Sequence, residues 1–217
     1  MSIVKPLQPE PRWLEPLLVH CHIKRYEKNI DFIRQGQPAE TLYYLIEGSV
    51  AAIIDDEDHR ELLLAYINKG EFIGEMGLFI SQNTRSVMIR TRTRCRVAEI
   101  SYQRLERLLD SELQSVARDF YYSVGLQLSQ RLRSTSRKVG HLAFLDVTGR
   151  IAGTLLDLCK QPDAMTHPEG MQIRVTRQEL ARIVGCSREM AGRVVKSLEE
   201  QGLLNVKGKT IVVIGAR

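Results

Sequence analysis

The chain has 217 residues, 43% hydrophobic and 26% charged, enough for one large globular domain or two small ones. No apolar run approaches the ~18 residues of a membrane-spanning helix. The N-terminal MSIVKPLQPEPRWLEPLL has prolines and acids where a signal peptide needs a clean apolar stretch, so a cytoplasmic protein without a membrane partner is expected. The net charge of +5 is basic without being extreme, and the 20 basic against 18 acidic residues up to 145, then 11 against 8, single out neither half.

In chain order, residues 9–20 suggest a short helix. His20, Cys21 and His22 within or just after it do not form a metal clip, because helical neighbours point about 100° apart. The four cysteines (Cys21, Cys95, Cys159 and Cys186) contain no C-x-x-C pair. Reduced thiols are therefore expected, with no disulfide framework and no metal. Residues 22–100 are a string of short alternating segments. Their turn signals lie at Gln35-Gly36, Glu47-Gly48, Asp55 to His59, Lys69-Gly70 and Ser81 to Thr84, a density that predicts a sandwich or barrel. Within this region the stretch GEFIGEMGLFISQNTRS (70–86) brings glycines, Glu75, Arg85 and Ser86 together. That combination suits a pocket for something with hydroxyls and a negative charge better than it suits a packing loop.

Beyond residue 100 the pattern turns helical. Ser101 is placed to cap a helix through Leu109. A long helix is predicted from Ser111 to about Lys138, with Leu113, Ala117, Phe120, Val124, Leu128 and Leu132 on one stripe. Such a stripe needs a partner, either the β domain or a second copy of the helix; its length favours the second copy and a homodimer. GHLAFLDVTGR then reads as a hinge, with Asp146 capping the helix VTGRIAGTLLDLCK. PDAMTHPEG reads as a loop.

The most specific motif is TRQELARIVGCSREMAGRVVKSLEEQG (176–202). Thr176 and Glu179 make a capping box for a first helix, Gly185 breaks it, Ser187 caps a second, and Gly202 ends that one. Two helices joined by a three-residue turn containing glycine form a helix-turn-helix. On the second helix Arg188, Glu189, Gly192, Arg193 and Lys196 fall between roughly 0° and 140°, while Met190, Ala191, Val194, Val195 and Leu198 fall between roughly 200° and 340°. The polar face carries its arginines and single acid in the first turns, where a recognition helix meets base edges of double-stranded DNA. LLNVKGKTIVVIGAR supplies a hairpin around Lys207-Gly208-Lys209, a wing suited to phosphate contact.

Together TLYYLIEGSV, GEFIGEMGLF, VAEISY, RKVGHLAFLDVTGRIA, KQPDAMTHPEGMQIRVTRQEL, VGCSRE and GKTIVVIG resemble the cyclic-AMP receptor protein (catabolite activator) family of bacterial transcription factors, over nearly the whole chain. The resemblance implies an α+β fold: a cyclic-nucleotide-binding, jelly-roll-like β-roll over 1–110, a dimerisation helix over 111–139, a hinge over 140–146 and a winged helix-turn-helix over 147–217. It implies cyclic AMP in a cassette formed by Gly74, Glu75, Met76, Arg85 and Ser86. There Arg85 and Ser86 would take the phosphate and Glu75 the ribose hydroxyl, while Thr135 and Ser136 would meet the adenine, one of them across the dimer. Hinge residues Phe144, Leu145 and Asp146 would relay the ligand to the DNA reader. Ser187, Arg188, Glu189, Arg193 and Lys196 would contact DNA at TGTGA-type palindromes. Ala164, Thr166, His167 and Gly170, with His22, Lys24 and Arg104, would touch RNA polymerase. Thr84, Met88 and Ala65 depart from the best-known member, where an acid, a tryptophan and a serine stand.

GEMGLFI, RTRT and SREMAGRV also resemble the catabolite-activator-like branch, which binds DNA without ligand and is released by cyclic di-GMP. In that branch an acidic residue stands at the position of Ser86. The serine here, with Thr135 and Ser136, points to cyclic AMP as the effector, with cyclic di-GMP as the alternative. Enzymatic turnover of a cyclic nucleotide is not expected, since the five histidines form no metal-binding pair. An iron–sulfur sensor would need an N-terminal cysteine cluster that Cys21 alone does not make.

Overall fold

The computed structural model describes residues 10–55, 61–80 and 84–216. The expected turns at Asp55–His59 and Ser81–Thr84 fall largely outside them, as does the start of the helix expected from residue 9. Contacts divide the chain into two compact units: residues 1–54 with 65–132, and residues 55–64 with 133–217. No helix among the described residues is long and apolar enough to cross a membrane.

The first part of the chain runs α1 (Leu14–Leu18), β1 (His22–Tyr26), β2 (Asp31–Ile33), β3 (Thr41–Glu47), β4 (Ser49–Asp55), β5 (Glu61–Asn68) and β6 (Phe72–Ile73). A 3-10 turn (Glu75–Leu78), β7 (Met88–Thr91), β8 (Cys95–Ser101), α2 (Tyr102–Leu109) and α3 (Gln114–Phe144) follow. The strands make two four-stranded sheets, ordered β1-β8-β3-β6 and β2-β7-β4-β5. Alternation decides which core each side chain enters. Leu45 of β3 and Val97 of β8 join Val50, Ala52 and Ile89 of the other sheet, whereas Leu42, Tyr44, Ala98 and Ile100 turn to a layer of helices. Trp13, the single tryptophan, is 3% exposed in that layer. It stacks on Phe72 at 5.2 Å, meets Phe120 edge-on at 5.6 Å and donates its indole N–H to Ser123.

Two expectations about the long helix change. First, α3 continues to Phe144, so of the expected hinge residues only Leu145 and Asp146 lie outside helices. Second, the stripe that favoured pairing with a second copy is mostly used within the chain. Leu113, Phe120 and Val124 are buried in the helix-layer core, with Ala117 and Leu128 packed against it. Leu132 is the exception at 70% exposed. The sheet's outer face covers more of the helix than a small barrel was expected to. A different line on α3, Tyr122, Gly125, Ser129, Leu132, Ser136 and Val139, repeats at alternating spacings of three and four; Tyr122, Leu132 and Val139 on it are 73%, 70% and 60% exposed.

A buried glutamine helps tie the helix to the sheet. Gln127 is 8% exposed, its amide oxygen accepts from the Phe72 N–H (2.7 Å), and its amide nitrogen donates to the Phe72 carbonyl (3.0 Å).

In the second unit Asp146 caps α4 (Val147–Leu158), its carboxylate accepting from the Gly149 N–H at 2.8 Å. The segment expected as a loop is instead a hairpin, β9 (Met165–His167) and β10 (Gly170–Arg174), because the extended chain there finds a sheet to join. It extends the wing strands β11 (Leu204–Lys207) and β12 (Thr210–Ile214) into one sheet, β11-β12-β10-β9. Between them α5 (Arg177–Val184) and α6 (Arg188–Glu200) form the helix-turn-helix and pack against α4, with Ile151 and Leu155 of α4, Leu180 of α5 and Val195 of α6 all buried. Residues 55–64 belong with this unit by contact: Glu61 pairs with Arg182 at 3.1 Å, and Lys138 donates to the carbonyls of Leu63 and Leu64.

Removing the Gln127 amide leaves the buried Phe72 N–H without its acceptor. Gln127→Leu is therefore expected to cost about 1–3 kcal/mol of stability, read from the midpoint of urea unfolding.

Candidate functional site

The cassette turn is built around two close approaches. Gly74 sits at φ 83°, a left-handed conformation that side chains strain to adopt, and a Cβ on it would lie 2.4 Å from an Arg85 nitrogen. A Cβ on Gly77 would overlap the Tyr102 ring at about the same distance, 2.5 Å. The glycines thus let an arginine and a tyrosine press against the turn.

Arg85 is 9% exposed. Its backbone is fixed to the preceding turn, with its N–H donating to the Gln37 carbonyl and its carbonyl accepting from Gly36. One terminal nitrogen donates to the Tyr102 hydroxyl (3.2 Å) and the other to the Thr41 carbonyl, while the guanidinium carbon lies 5.5 Å from the Tyr43 ring centre. The Tyr102 hydroxyl in turn donates to the Gly74 carbonyl (2.6 Å). Tyr102 and Thr41 occupy only part of the guanidinium's donors, leaving the rest for an anion. Ser86 and Met76 are exposed beside these residues in sequence.

Glu75 is 2% exposed. One carboxylate oxygen pairs with Arg131 of α3, whose other nitrogen donates to the Phe72 carbonyl at 2.7 Å. The second oxygen is buried with no hydrogen-bond partner. An ionised carboxylate in that condition is costly unless a donor completes it, and a ribose hydroxyl is such a donor. The cassette therefore fits a cyclic nucleotide on two counts: a buried acceptor awaiting a hydroxyl, and one residue from it a turn pressed against an arginine with donors to spare.

Sequence reasoning placed Gly74, Glu75 and Arg85 together and missed Thr41, Tyr102 and Arg131, which hold them, and Gln127, which holds the neighbouring Phe72. Tyr102 closes the VAEISY stretch, where no local pattern marks it. Arg131 lies four residues before Thr135 on the same helix. Thr135 and Ser136 are exposed on α3, in the part of the chain that clusters with the second unit. No hydrogen bond within the chain engages the side chain of either, among the described residues.

In the second unit the helix-turn-helix follows its sequence signals. The Thr176 hydroxyl accepts from the Glu179 N–H (3.1 Å), Gly185 ends α5 at φ 68°, and the Ser187 hydroxyl accepts from the Met190 N–H (3.1 Å). Ala191, Val194, Val195 and Leu198 are buried and Met190 is half-buried, as the wheel requires. Arg188, Glu189, Arg193 and Lys196 are exposed, with Lys196 3.7 Å from Glu200. Wing and reader are tied together, the Lys209 carbonyl accepting from Val175 and the Gly208 carbonyl from Arg177.

The surface positions assigned to polymerase contact separate into two sets. Ala164, Thr166, His167 and Gly170 lie at or on the β9–β10 hairpin, with His167 Nδ1 accepting from the Glu169 N–H (3.3 Å). His22 and Lys24 are exposed two apart on β1, where Lys24 pairs with Glu99 at 2.7 Å; Arg104 is exposed on α2. Cys21, nearby, has its thiol pushed up to about 11 by burial, against the weaker pull of Arg104.

Residues 23–112 match the cyclic nucleotide-binding domain and residues 149–215 the Crp-like helix-turn-helix domain. The chain belongs to the Crp family. Its members are DNA-binding transcription regulators and not enzymes, and this chain is one of them, with a cyclic-nucleotide-binding domain. It is 56% identical to the CRP-like protein Clp of Xanthomonas euvesicatoria over 94% of its length and 89% of that protein. It is 55% identical to Vfr, the cAMP-activated global transcriptional regulator of Pseudomonas aeruginosa, over 96% of its length and 97% of Vfr. The solved structure of the c-di-GMP-responsive regulator CLP of Xanthomonas campestris superposes with a TM-score of 0.89 at 56% identity, over 94% of this chain and 98% of that one.

One carboxyl at the edge of the cassette gives a pH signature. Burial raises Glu71 above its ordinary 4.5, and Glu75 adds to the rise, while the Asn68 N–H and Arg131 pull it down. A carboxyl raised on folding stabilises the fold while protonated and loses that contribution as pH rises through its folded value. Glu71→Gln, which keeps an acceptor for Asn68, is therefore expected to melt higher than wild type at pH 7. The difference should close as pH falls through 4.5, in thermal melts across pH 4–7.

Proposed function

We propose that the chain is a cytoplasmic homodimeric regulator that binds palindromic DNA and is activated by cyclic AMP held in the cassette. The observation that carries the effector reading is the buried Glu75 oxygen without a partner, one residue from a turn pressed against Arg85. A cyclic nucleotide offers both complements: a 2′-hydroxyl to donate to Glu75 and a phosphodiester anion for Arg85 and Ser86. Charge-assisted bonds from an arginine already held by Thr41 and Tyr102 cost little ordering entropy on binding. Met76 borders this site and Gly74 allows the close approach.

The identities to Clp and Vfr, 56% and 55%, do not choose between cyclic di-GMP and cyclic AMP. The residues favour cyclic AMP: Ser86 keeps a neutral hydroxyl beside Arg85 where an acid would repel a phosphate, and Thr135 and Ser136 offer hydroxyls suited to a purine edge. A second copy of the chain is the partner that suits the exposed line on α3. Its alternating spacing is that of a coiled-coil seam, Gly125 in it would meet no atom with an added Cβ, and Ser136 lies on it. In that arrangement ligand bound in one copy would touch the helix of the other. Leu145 and Asp146, with the last helical residue Phe144, would transmit the change to the reader.

At the DNA, Arg188 and Arg193 supply guanine-reading forks, Glu189 an acceptor for cytosine, and Ser187 and Lys196 backbone contacts. Polymerase contact is assigned to the hairpin residues Ala164, Thr166, His167 and Gly170, and to His22, Lys24 and Arg104.

Anisotropy of a labelled TGTGA-type palindrome at fixed salt, with cyclic AMP, cyclic di-GMP or neither, tests the whole reading. Tightening by cyclic AMP is expected. Tight binding without ligand that only cyclic di-GMP loosens would overturn the effector assignment and leave the reader standing. Arg85→Leu should weaken cyclic AMP binding at least ~10-fold by calorimetry. Glu189→Ala should flatten preference at one base pair in a binding-site selection; an unchanged preference would remove Glu189 from base reading.

A further inference from the structure

Helix α6 carries a glycine that nothing inside the protein requires. Gly192 lies in the body of a helix spanning Arg188–Glu200, and its φ is not positive. A Cβ built on it would meet no atom within 4 Å. This is the opposite of Gly74 and Gly77, where an added Cβ would collide with Arg85 or Tyr102. Glycine within a helix is disfavoured against alanine because its backbone loses more freedom on folding. Neither backbone geometry nor internal packing offsets that loss at Gly192.

What surrounds Gly192 says where the reason lies. Arg188 and Glu189 precede it by one helical turn, Arg193 follows it directly, and Lys196 comes one turn later, all four exposed. Among the described residues, no hydrogen bond or ion pair within the chain engages the side chains of Arg188, Glu189 or Arg193. Gly192 is thus the low point of a ring of charged side chains, three of them uncommitted.

We infer that Gly192 sets the depth at which α6 enters the major groove, and so determines sequence-specific affinity while making no side-chain contact of its own. The inference rests on α6 being the DNA reader. A helix with its side chains is about 10–12 Å across and the major groove about 12 Å wide, so clearance is small. A methyl at the centre of the inserted face would hold the backbone off the base edges by up to roughly 1.5 Å, one carbon–carbon bond. The arginine forks at Arg188 and Arg193 need contacts of about 2.7–2.9 Å in a fixed plane, and a displacement of that size breaks them. Phosphate contacts from long flexible side chains at the rim would follow the displacement. Specific binding should therefore suffer and non-specific binding should not.

The test uses the full chain, in whichever effector state binds more tightly, and a duplex selected from a random library by the wild type. Gly192→Ala, Arg188→Ala and wild type are compared on that duplex and on a scrambled one, by anisotropy across a salt series, alongside thermal melts. Gly192→Ala is expected to melt no lower than wild type. It should bind the selected duplex at least ~10-fold more weakly, with the scrambled duplex changed less than ~2-fold and the salt slope unaltered. Equal affinity of Gly192→Ala and wild type for the selected duplex would overturn the inference while leaving the reader in place, as would equal losses on both duplexes. If Arg188→Ala also bound the selected duplex as wild type does, the assignment of this face to DNA would fail, and the inference with it.

Discussion

The buried backbone of one residue, Phe72, joins the ligand-binding turn to the long helix. Its N–H and carbonyl are both taken by Gln127, and its carbonyl also by Arg131, which continues to Glu75. The residue that would meet a ribose hydroxyl is therefore positioned from α3 as much as from the strand it follows. A nearly buried ion pair such as Glu75–Arg131 is expensive to desolvate and survives only where its geometry is held from both sides. Here the sheet holds one side and the helix the other, so a displacement of α3 along its axis cannot leave Glu75 unmoved.

The same logic explains which parts of the architecture were legible in the sequence. Period-two alternation in β3 and β8, the caps at Ser101, Asp146, Thr176 and Ser187, and the sorted faces of α6 are local signals, and all appear in place. What local patterns could not supply was the choice between partners. Phe120, Val124 and Leu128 have the right spacing for a coiled coil and for a sheet face alike, and only tertiary packing assigns them to the sheet. Likewise β9 and β10 were hidden because PDAMTHPEG is rich in turn formers; a waiting edge at β12 overrides that preference.

In the ligand site the residues that would touch a nucleotide were readable by chemistry, since a phosphate and a hydroxyl call for an arginine and a carboxylate. Those that fix them were not. Thr41 acts through its backbone carbonyl, which no side-chain motif reveals, and Tyr102 and Arg131 come from 28 and 56 positions away from their partners Gly74 and Glu75. In the DNA reader the balance is reversed. Among the described residues the side chains of Arg188, Glu189 and Arg193 have no partner within the chain, so an angular plot of one helix captures nearly all of their placement.

Strand β4 starts and strand β5 finishes in the nucleotide-binding unit, but Asp55 and residues 61–64 cluster with the other one. Glu61 is committed to Arg182 of the reader's first helix, and the Leu63 and Leu64 carbonyls to Lys138. A gene fragment starting in or after α3 would yield a reader lacking Glu61, Leu63 and Leu64 from its own packing. The matching N-terminal fragment would carry Glu61, Leu63 and Leu64 without Arg182 and Lys138. In this chain the division of the sequence and the division of the molecule run along different lines.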